Sequence, residues 1–325
     1  MTATKLVLKI ALAVFSILFT LFFLEIILRL SYPLYADYNT EMWRYTKELK
    51  QRSDLPNLGH EHIPNKSVIL YGVEIRTNQL GLRANREYVI PKPKNTVRIL
   101  VLGDSIALGW GVNYYETFPN ILESILNQKN PAKYEVLNAA VGNYNTENEL
   151  GALQKYLSLD PDIIIVGYTI SDMEKIKYPG QSFIRENSYL YSFLFDKFAG
   201  LRFIGKETYY EYYHRINSDE NNKVKQKKII DKLIDASGNR TVIVVNIPDF
   251  HKLKGYEFGE ENDFTNAMLA NRTEVIYLDL LPVFQNQSMD TMDFWVTDKD
   301  PHPNNKAHRL IAEQIYMLIN SDPSN

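Results

Sequence analysis

The chain has 325 residues and no cysteine. That absence excludes a disulfide framework, a zinc–thiolate site and a cysteine nucleophile. It also lacks a surplus of charge of either sign. Lys plus Arg is 36 and Asp plus Glu is 39, for a formal net charge of −3. With a pI near 6.1, it does not carry the strongly basic balance of a general nucleic-acid binder, and no nucleic-acid partner is expected. Nor is it short of apolar residues: at 45% hydrophobic and 23% charged, its composition is that of a globular protein rather than a disordered one. Metal-ligand spacing is missing too. His60-Glu61-His62 lacks the helical His-Glu-x-x-His pattern, so no metal and no cofactor are expected.

Long hydrophobic runs are absent with one exception. Ile10 to Leu24 contains no charged residue, and the apolar stretch extends from Val7 to Leu28. This is close to the roughly 20 residues needed to cross a bilayer core. Lys5 and Lys9 precede it and favour a cytoplasmic N-terminus, with the rest of the chain extracytoplasmic. A cleaved signal peptide is the rival reading, but no small-x-small site follows the run. The mean hydropathy of −0.28 therefore averages a membrane segment with a more polar remainder. The expected organisation is an anchor over 1–31, a stalk or linker over 32–66, and one domain over 67–325.

That domain reads as α/β. Val68 to Arg76 has the pattern of a short strand or hairpin. Five short apolar runs follow: Val97 to Leu102, Tyr134 to Val141, Ile163 to Gly167, Val242 to Ile247 and Val275 to Leu280. Each is rich in Val and Ile and bounded by turn residues, as suits strands buried on both faces. Amphipathic helical patterns separate them, opening at Thr117-Phe118-Pro119 and Thr146, around Ile229 to Ile234, and around Leu310 to Leu318. Strands alternating with helices predict a parallel sheet covered on both sides. Residues 173–222 interrupt the alternation with an aromatic-rich insertion.

Two segments at opposite ends of this domain carry the chemistry. Gly103-Asp104-Ser105 stands at the carboxyl end of the first strand, where open parallel sheets place their ligands. Asp300-Pro301-His302-Pro303 precedes the last helix. A serine hydrolase needs a histidine base and a carboxylate to hold its tautomer, and His302 is the best placed of the six histidines. Asp172 is read as a helix cap and Asp104 as a turn-stabilising residue.

These blocks, in this order, resemble the SGNH/GDSL hydrolase superfamily, in particular its membrane-anchored bacterial-type members. The resemblance covers residues 65 to 325. It implies a flavodoxin-like three-layer α/β/α sandwich with a central parallel five-stranded sheet, preceded here by one N-terminal transmembrane helix. It implies Ser105 as nucleophile and the N–H groups of Ser105 and Gly142 as oxyanion donors, the latter in Asn138-Ala139-Ala140-Val141-Gly142. Two positions depart from the pattern. The third block usually ends in Asn-Asp, whereas here it reads Ser171-Asp172, so Ser171 stands where an asparagine donor is expected. The usual acid lies three residues before the histidine, and that position is Lys299. Pro301 pushes Asp300 into extended backbone. Side chains two apart in extended chain point the same way, so Asp300 is the preferred acid and Asp298 the alternative. Trp110 and Tyr144 are candidates for lining an acyl or sugar pocket.

The activity implied is a serine esterase that removes an O-acyl group, O-acetyl being the favoured one, from a cell-envelope or extracellular carbohydrate or another small ester. An O-acyltransferase using the same triad on a polysaccharide, and a non-catalytic glycan-binding domain of the same fold, remain open at this point.

Overall fold

The computed structural model describes residues 3–129, 133–176, 178, 184, 187–194, 207–287 and 290–321. Much of the aromatic-rich insertion, including Phe183, Phe195, Phe198 and Phe203, lies outside the described residues. The chain divides into two compact units, Met1–Glu48 with Gly180–Lys206, and Leu49–Pro179 with Glu207–Asn325.

In the first unit, helix α1 (Ala3–Tyr35) contains the apolar run. It is long and apolar enough to cross a membrane, a test that a signal sequence also passes. Glu25 near its end is not left bare. Its carboxylate accepts from the Ser188 hydroxyl at 2.8 Å and from the backbone N–H groups of Tyr189 and Leu190 at 3.0 and 2.9 Å, where a carboxylate suits the exposed N–H groups of a helix start. Helix α2 (Tyr38–Leu49) follows, with Arg44 paired to Glu48 one turn on at 2.8 Å.

The second unit begins with strands β1 (Lys50–Arg52) and β2 (His60–His62), paired antiparallel. The 32–66 segment, expected as a stalk or linker, is thus structured in large part. Leu58, His60 and His62 are buried, and Asn148 Nδ2 donates to the Leu58 carbonyl at 2.9 Å. After α2, whose buried face mixes Thr40 and Glu41 with Tyr45 and Leu49, the segment packs through single side chains and backbone carbonyls, which leave no periodic signal in the sequence. Strands β3 (Ser67–Leu70) and β4 (Val73–Arg76) form the expected hairpin. Tyr71 and Gly72 at its tip both have positive φ, 54° and 76°, as a two-residue I′ turn requires.

The core is built from β5 (Val97–Gly103), β6 (Tyr134–Asn138), β7 (Ile163–Tyr168), β8 (Thr241–Asn246) and β9 (Ile276–Asp279). All neighbours pair parallel, in the order β6-β5-β7-β8-β9. This is the 2-1-3-4-5 order of flavodoxin-like sheets, whose switch point lies between the first and third strands. One face carries Leu100, Leu102, Ile164, Val166, Val242 and Val244. It packs against helix α5 (Thr146–Tyr156), through Leu150 and Leu153, and against a helix over Glu220–Ser237, through Ile229, Ile230 and Leu233. The alternate residues Ile99, Val101, Ile165, Ile243 and Val245 are equally buried and point to the opposite face. Helix α4 (Phe118–Lys129) and the last helix (Asn305–Ser321) pack together, with Leu122, Leu126, Ile311 and Ile315 buried. The fold class expected from the sequence is the one observed.

Candidate active site

Strand β5 delivers its last residue, Gly103, into a position only glycine fits. Its φ is 154°, and a Cβ there would stand 2.5 Å from the Ala107 Cβ. The tight turn allows helix α3 (Ser105–Leu108) to begin at once. Asp104 caps it, accepting from the Ile106 N–H at 2.8 Å. Ser105 is therefore the first residue of a helix on the carboxyl edge of the sheet, where backbone N–H groups lack intrahelical partners. The loop after α3 is fixed by Arg83, which is 1% exposed. Its guanidinium donates to the carbonyls of Leu108, Gly109 and Val112 at 2.6, 2.7 and 2.7 Å.

His302 arrives from the other end of the chain on a hairpin of β10 (Trp295–Thr297) and β11 (Asp300–Pro303). Gly111, at φ 70°, lies so close that a Cβ would meet a Val296 methyl at 2.5 Å, so the loop after α3 rests directly on this hairpin. Ser105 Oγ is 2.9 Å from His302 Nε2, and His302 Nδ1 is 2.6 Å from Asp300 Oδ1. The carboxylate can only accept, so the proton lies on Nδ1, leaving Nε2 to accept from the serine hydroxyl. Asp300 is fully buried. Its carboxylate also accepts from the His302 N–H at 3.0 Å and from the Trp110 indole N–H at 3.0 Å. Burial works to raise this carboxyl, but the hydrogen bonds and the histidine's charge outweigh it and hold Asp300 below the usual carboxylate range. Asp300, two residues back along a strand, faces the ring. Asp298 is exposed in the turn between β10 and β11.

Ser171, the candidate third oxyanion donor, lies in a cluster with Thr169 and Asp104. Its hydroxyl lies 2.9 Å from Thr169 Oγ1 and 3.3 Å from Asp104 Oδ2, and Thr169 Oγ1 is 3.2 Å from the same carboxylate oxygen. A hydroxyl has one proton. The Ser171 hydroxyl is thus held beside Thr169 and the Asp104 carboxylate, either of which can take its proton. Asp172 closes the short turn Ile170–Met173 by accepting the Thr169 N–H at 2.5 Å, and it takes the Thr146 hydroxyl at 2.7 Å.

Trp110 and Tyr144, considered for a substrate pocket, are both buried. Trp110 instead supports Asp300, and the Tyr144 hydroxyl donates to the His60 carbonyl at 2.8 Å. Sequence reasoning missed three residues that shape the site. These are Arg83, and Lys50 and His60, which bond the Gly142 carbonyl at 2.6 and 3.1 Å. Arg83 sits in a polar stretch with Arg76, Asn78, Arg86 and Glu87 and does not stand out there, and nothing local pointed to Lys50. A cavity of about 420 Å³ is lined by Glu116, Asp293, Lys306, Arg309 and Glu313 among others, and includes none of the candidate residues.

No curated protein matches the chain. Solved structures do. A two-domain esterase (CEX) active on acetylated mannans, crystallised with mannopentaose, aligns at 14% identity and a TM-score of 0.47, over 71% of this chain and 50% of that one. The chain thus spans half the length of that protein. The lipase Lip_vut3 from a goat rumen metagenome aligns at 13% identity and a TM-score of 0.46, over 68% of this chain and 97% of that one. A lipase/acylhydrolase from Enterococcus faecalis aligns at 14% identity and a TM-score of 0.45, over 70% and 96%. The sequence profile of the GDSL-like lipase/acylhydrolase family matches residues 101–310, a span that holds both Ser105 and His302. The chain belongs to that GDSL-like lipase/acylhydrolase family and is a carboxylic ester hydrolase.

Proposed function

We propose that Ser105, His302 and Asp300 act as nucleophile, general base and orienting acid in the hydrolysis of an O-acyl ester, with O-acetyl groups on a carbohydrate as the substrate class. The observation that carries this reading is the unbroken hydrogen-bonded line from Ser105 through His302 to Asp300. In the first step Ser105 Oγ attacks the ester carbonyl carbon while His302 Nε2 takes its proton. Negative charge gathers on the carbonyl oxygen, opposite the N–H groups of Ser105 and Gly142. The C–O bond then breaks, and the proton on Nε2 passes to the departing sugar hydroxyl. A water molecule, deprotonated by His302, releases the acid from the acyl-serine. Asp300 stays ionised throughout and stabilises the imidazolium. With Ser171 turned to Asp104, the hole has two N–H donors, and losing one donor of this kind typically costs about 10²–10³ in rate.

The carbohydrate assignment rests on the acetyl-mannan activity of a similar structure and on the family resemblance. Lys5 and Lys9 before the uncharged run Ile10 to Leu24 support an extracytoplasmic location for the catalytic unit.

The test is acetate release from an acetylated polysaccharide by the full chain in detergent, against Ser105→Ala. The expected result is release by the wild type and a fall to background in the variant. Release that survives Ser105→Ala sinks the reading. Acetate transferred to an added oligosaccharide instead of water would make the enzyme an acyltransferase with the same triad.

A further inference from the structure

Strand β1 brings a lysine beneath the candidate oxyanion hole. Lys50 is 7% exposed, and its ammonium donates to the Gly142 carbonyl at 2.6 Å and to Asn143 Oδ1 at 3.0 Å. His60, on the paired strand β2, reaches the same carbonyl at 3.1 Å through Nε2. A carbonyl only accepts, so Nε2 carries the proton there. The Tyr144 hydroxyl in turn donates to the His60 carbonyl at 2.8 Å. The turn after β6 is therefore clamped from the N-terminal segment, at a residue followed by Asn143 in the left-handed region, φ 68°.

We propose that Lys50 is a positioning residue for ester hydrolysis: through the Gly142 carbonyl it holds the Gly142 N–H on the reacting oxygen and places a buried positive charge behind the developing oxyanion. The inference rests on the role proposed above for Gly142. Two physical effects support it. The Gly142 N–H and C=O are separated by only two soft dihedrals, so anchoring the carbonyl, in a turn already held by Val141 N–H to the Gly103 carbonyl at 3.1 Å and Tyr144 N–H to the Val141 carbonyl at 3.0 Å, narrows the directions open to the N–H. Covalent geometry puts the ammonium on the order of 6 Å from the Gly142 nitrogen, within range for a charge in a water-poor site to favour an anion. The need is specific to this chain. Ser171 stands where the asparagine donor is expected, with its hydroxyl bonded to Thr169 and Asp104, so the site has a shorter, shared donor there and a carboxylate close by. Lys50 supplies charge of the opposite sign through the Gly142 turn.

The experiment uses the full chain in detergent and p-nitrophenyl acetate, with active sites titrated by a fluorophosphonate. Lys50→Met is expected to lower kcat per titrated site by about 10–100-fold and to leave KM within about twofold, because a charge acting on the oxyanion is felt in the transition state alone. Binding of phenylboronic acid, a tetrahedral mimic, is expected to weaken by a similar factor. Lys50→Arg, which keeps the charge, is expected to recover most of the loss. Unchanged kcat in Lys50→Met overturns the inference. So does an equal fall in Met and Arg variants that follows their thermal stability. If Lys50→Met does not fold, Lys50→Gln against Lys50→Arg decides, since Gln keeps a donor without the charge; equal kcat in these two overturns the proposal. A wild type without Ser105-dependent turnover would instead remove the functional reading on which it stands.

Discussion

Behind Ser105, the Asp104 and Asp172 carboxylates both lie near the Thr169 hydroxyl, at 3.2 and 3.3 Å, and its one proton is shared between them and Ser171. Glu149 is fully buried, and neither of its carboxyl oxygens has a hydrogen-bond partner among the described residues. Burial pushes the Glu149 carboxyl well above the carboxylate range, and the charges of Asp172 and Asp104 push it further. Asp172 is raised to about 7, by burial first, with its hydrogen bonds from Thr169 and Thr146 pulling the other way. Folding therefore favours the protonated acids. Their stabilising effect is complete below the unfolded carboxylate pKa of about 4 and is lost as pH rises toward neutrality. His62 and His308 act in the opposite direction. Burial lowers both to about 3, so they favour the fold above the unfolded histidine pKa of about 6.5 and oppose it as pH falls below that. A Glu149→Gln variant separates the two effects, because the histidines are common to both proteins. Its thermal midpoint should match wild type near pH 5 and exceed it near pH 8, by an amount corresponding to about 1–3 kcal/mol. A difference that does not change with pH would show that Glu149 is not held protonated by the fold.

At the level of elements, the five sheet strands and the helices between them were legible because each is a local pattern. The Val- and Ile-rich runs fall within one to three residues of β5 to β9, and Asn145 and Gly238 cap the helices where the sequence broadly placed their ends. The Asp300–His302 pairing was legible for the same reason: Pro301 favours extension, β11 is a strand, and Asp300 shares a face with His302. What was not legible depends on contacts across long stretches of chain. Lys50 meets Gly142 92 residues away, and Trp110 meets Asp300 190 residues away. No spacing rule connects such pairs. Ser171 was located correctly in the sequence, but its hydroxyl direction is set by Asp104 and Thr169, which only the packed turn brings together. The 32–66 segment looked like a linker because the buried face of α2 mixes Thr40 and Glu41 with Tyr45 and Leu49, and beyond it burial comes from scattered residues such as Leu58 and His60.

For the whole molecule, two units are built on different principles. One contains a helix whose exposed surface is almost wholly apolar, as a lipid-facing segment needs. The other buries both faces of a parallel sheet in the ordinary manner of a water-soluble α/β domain. The proposed arrangement places the second unit outside the cytoplasmic membrane. A chain without cysteine makes this easy to examine, since a single introduced thiol has no competitor. Asp298→Cys, at an exposed turn, should react with a membrane-impermeant maleimide in cells whose cytoplasmic membrane is intact. Reaction only after that membrane is opened would place the unit in the cytoplasm.

The central claim is that Ser105 is activated by His302 and Asp300. Its most direct measurement is intact and peptide mass after reaction of the full chain with a fluorophosphonate. The claim predicts one adduct per chain, located on Ser105, and a loss of labelling rate by about 10³-fold or more in His302→Ala. An adduct elsewhere, or labelling of Ser105 that does not depend on His302, would contradict it.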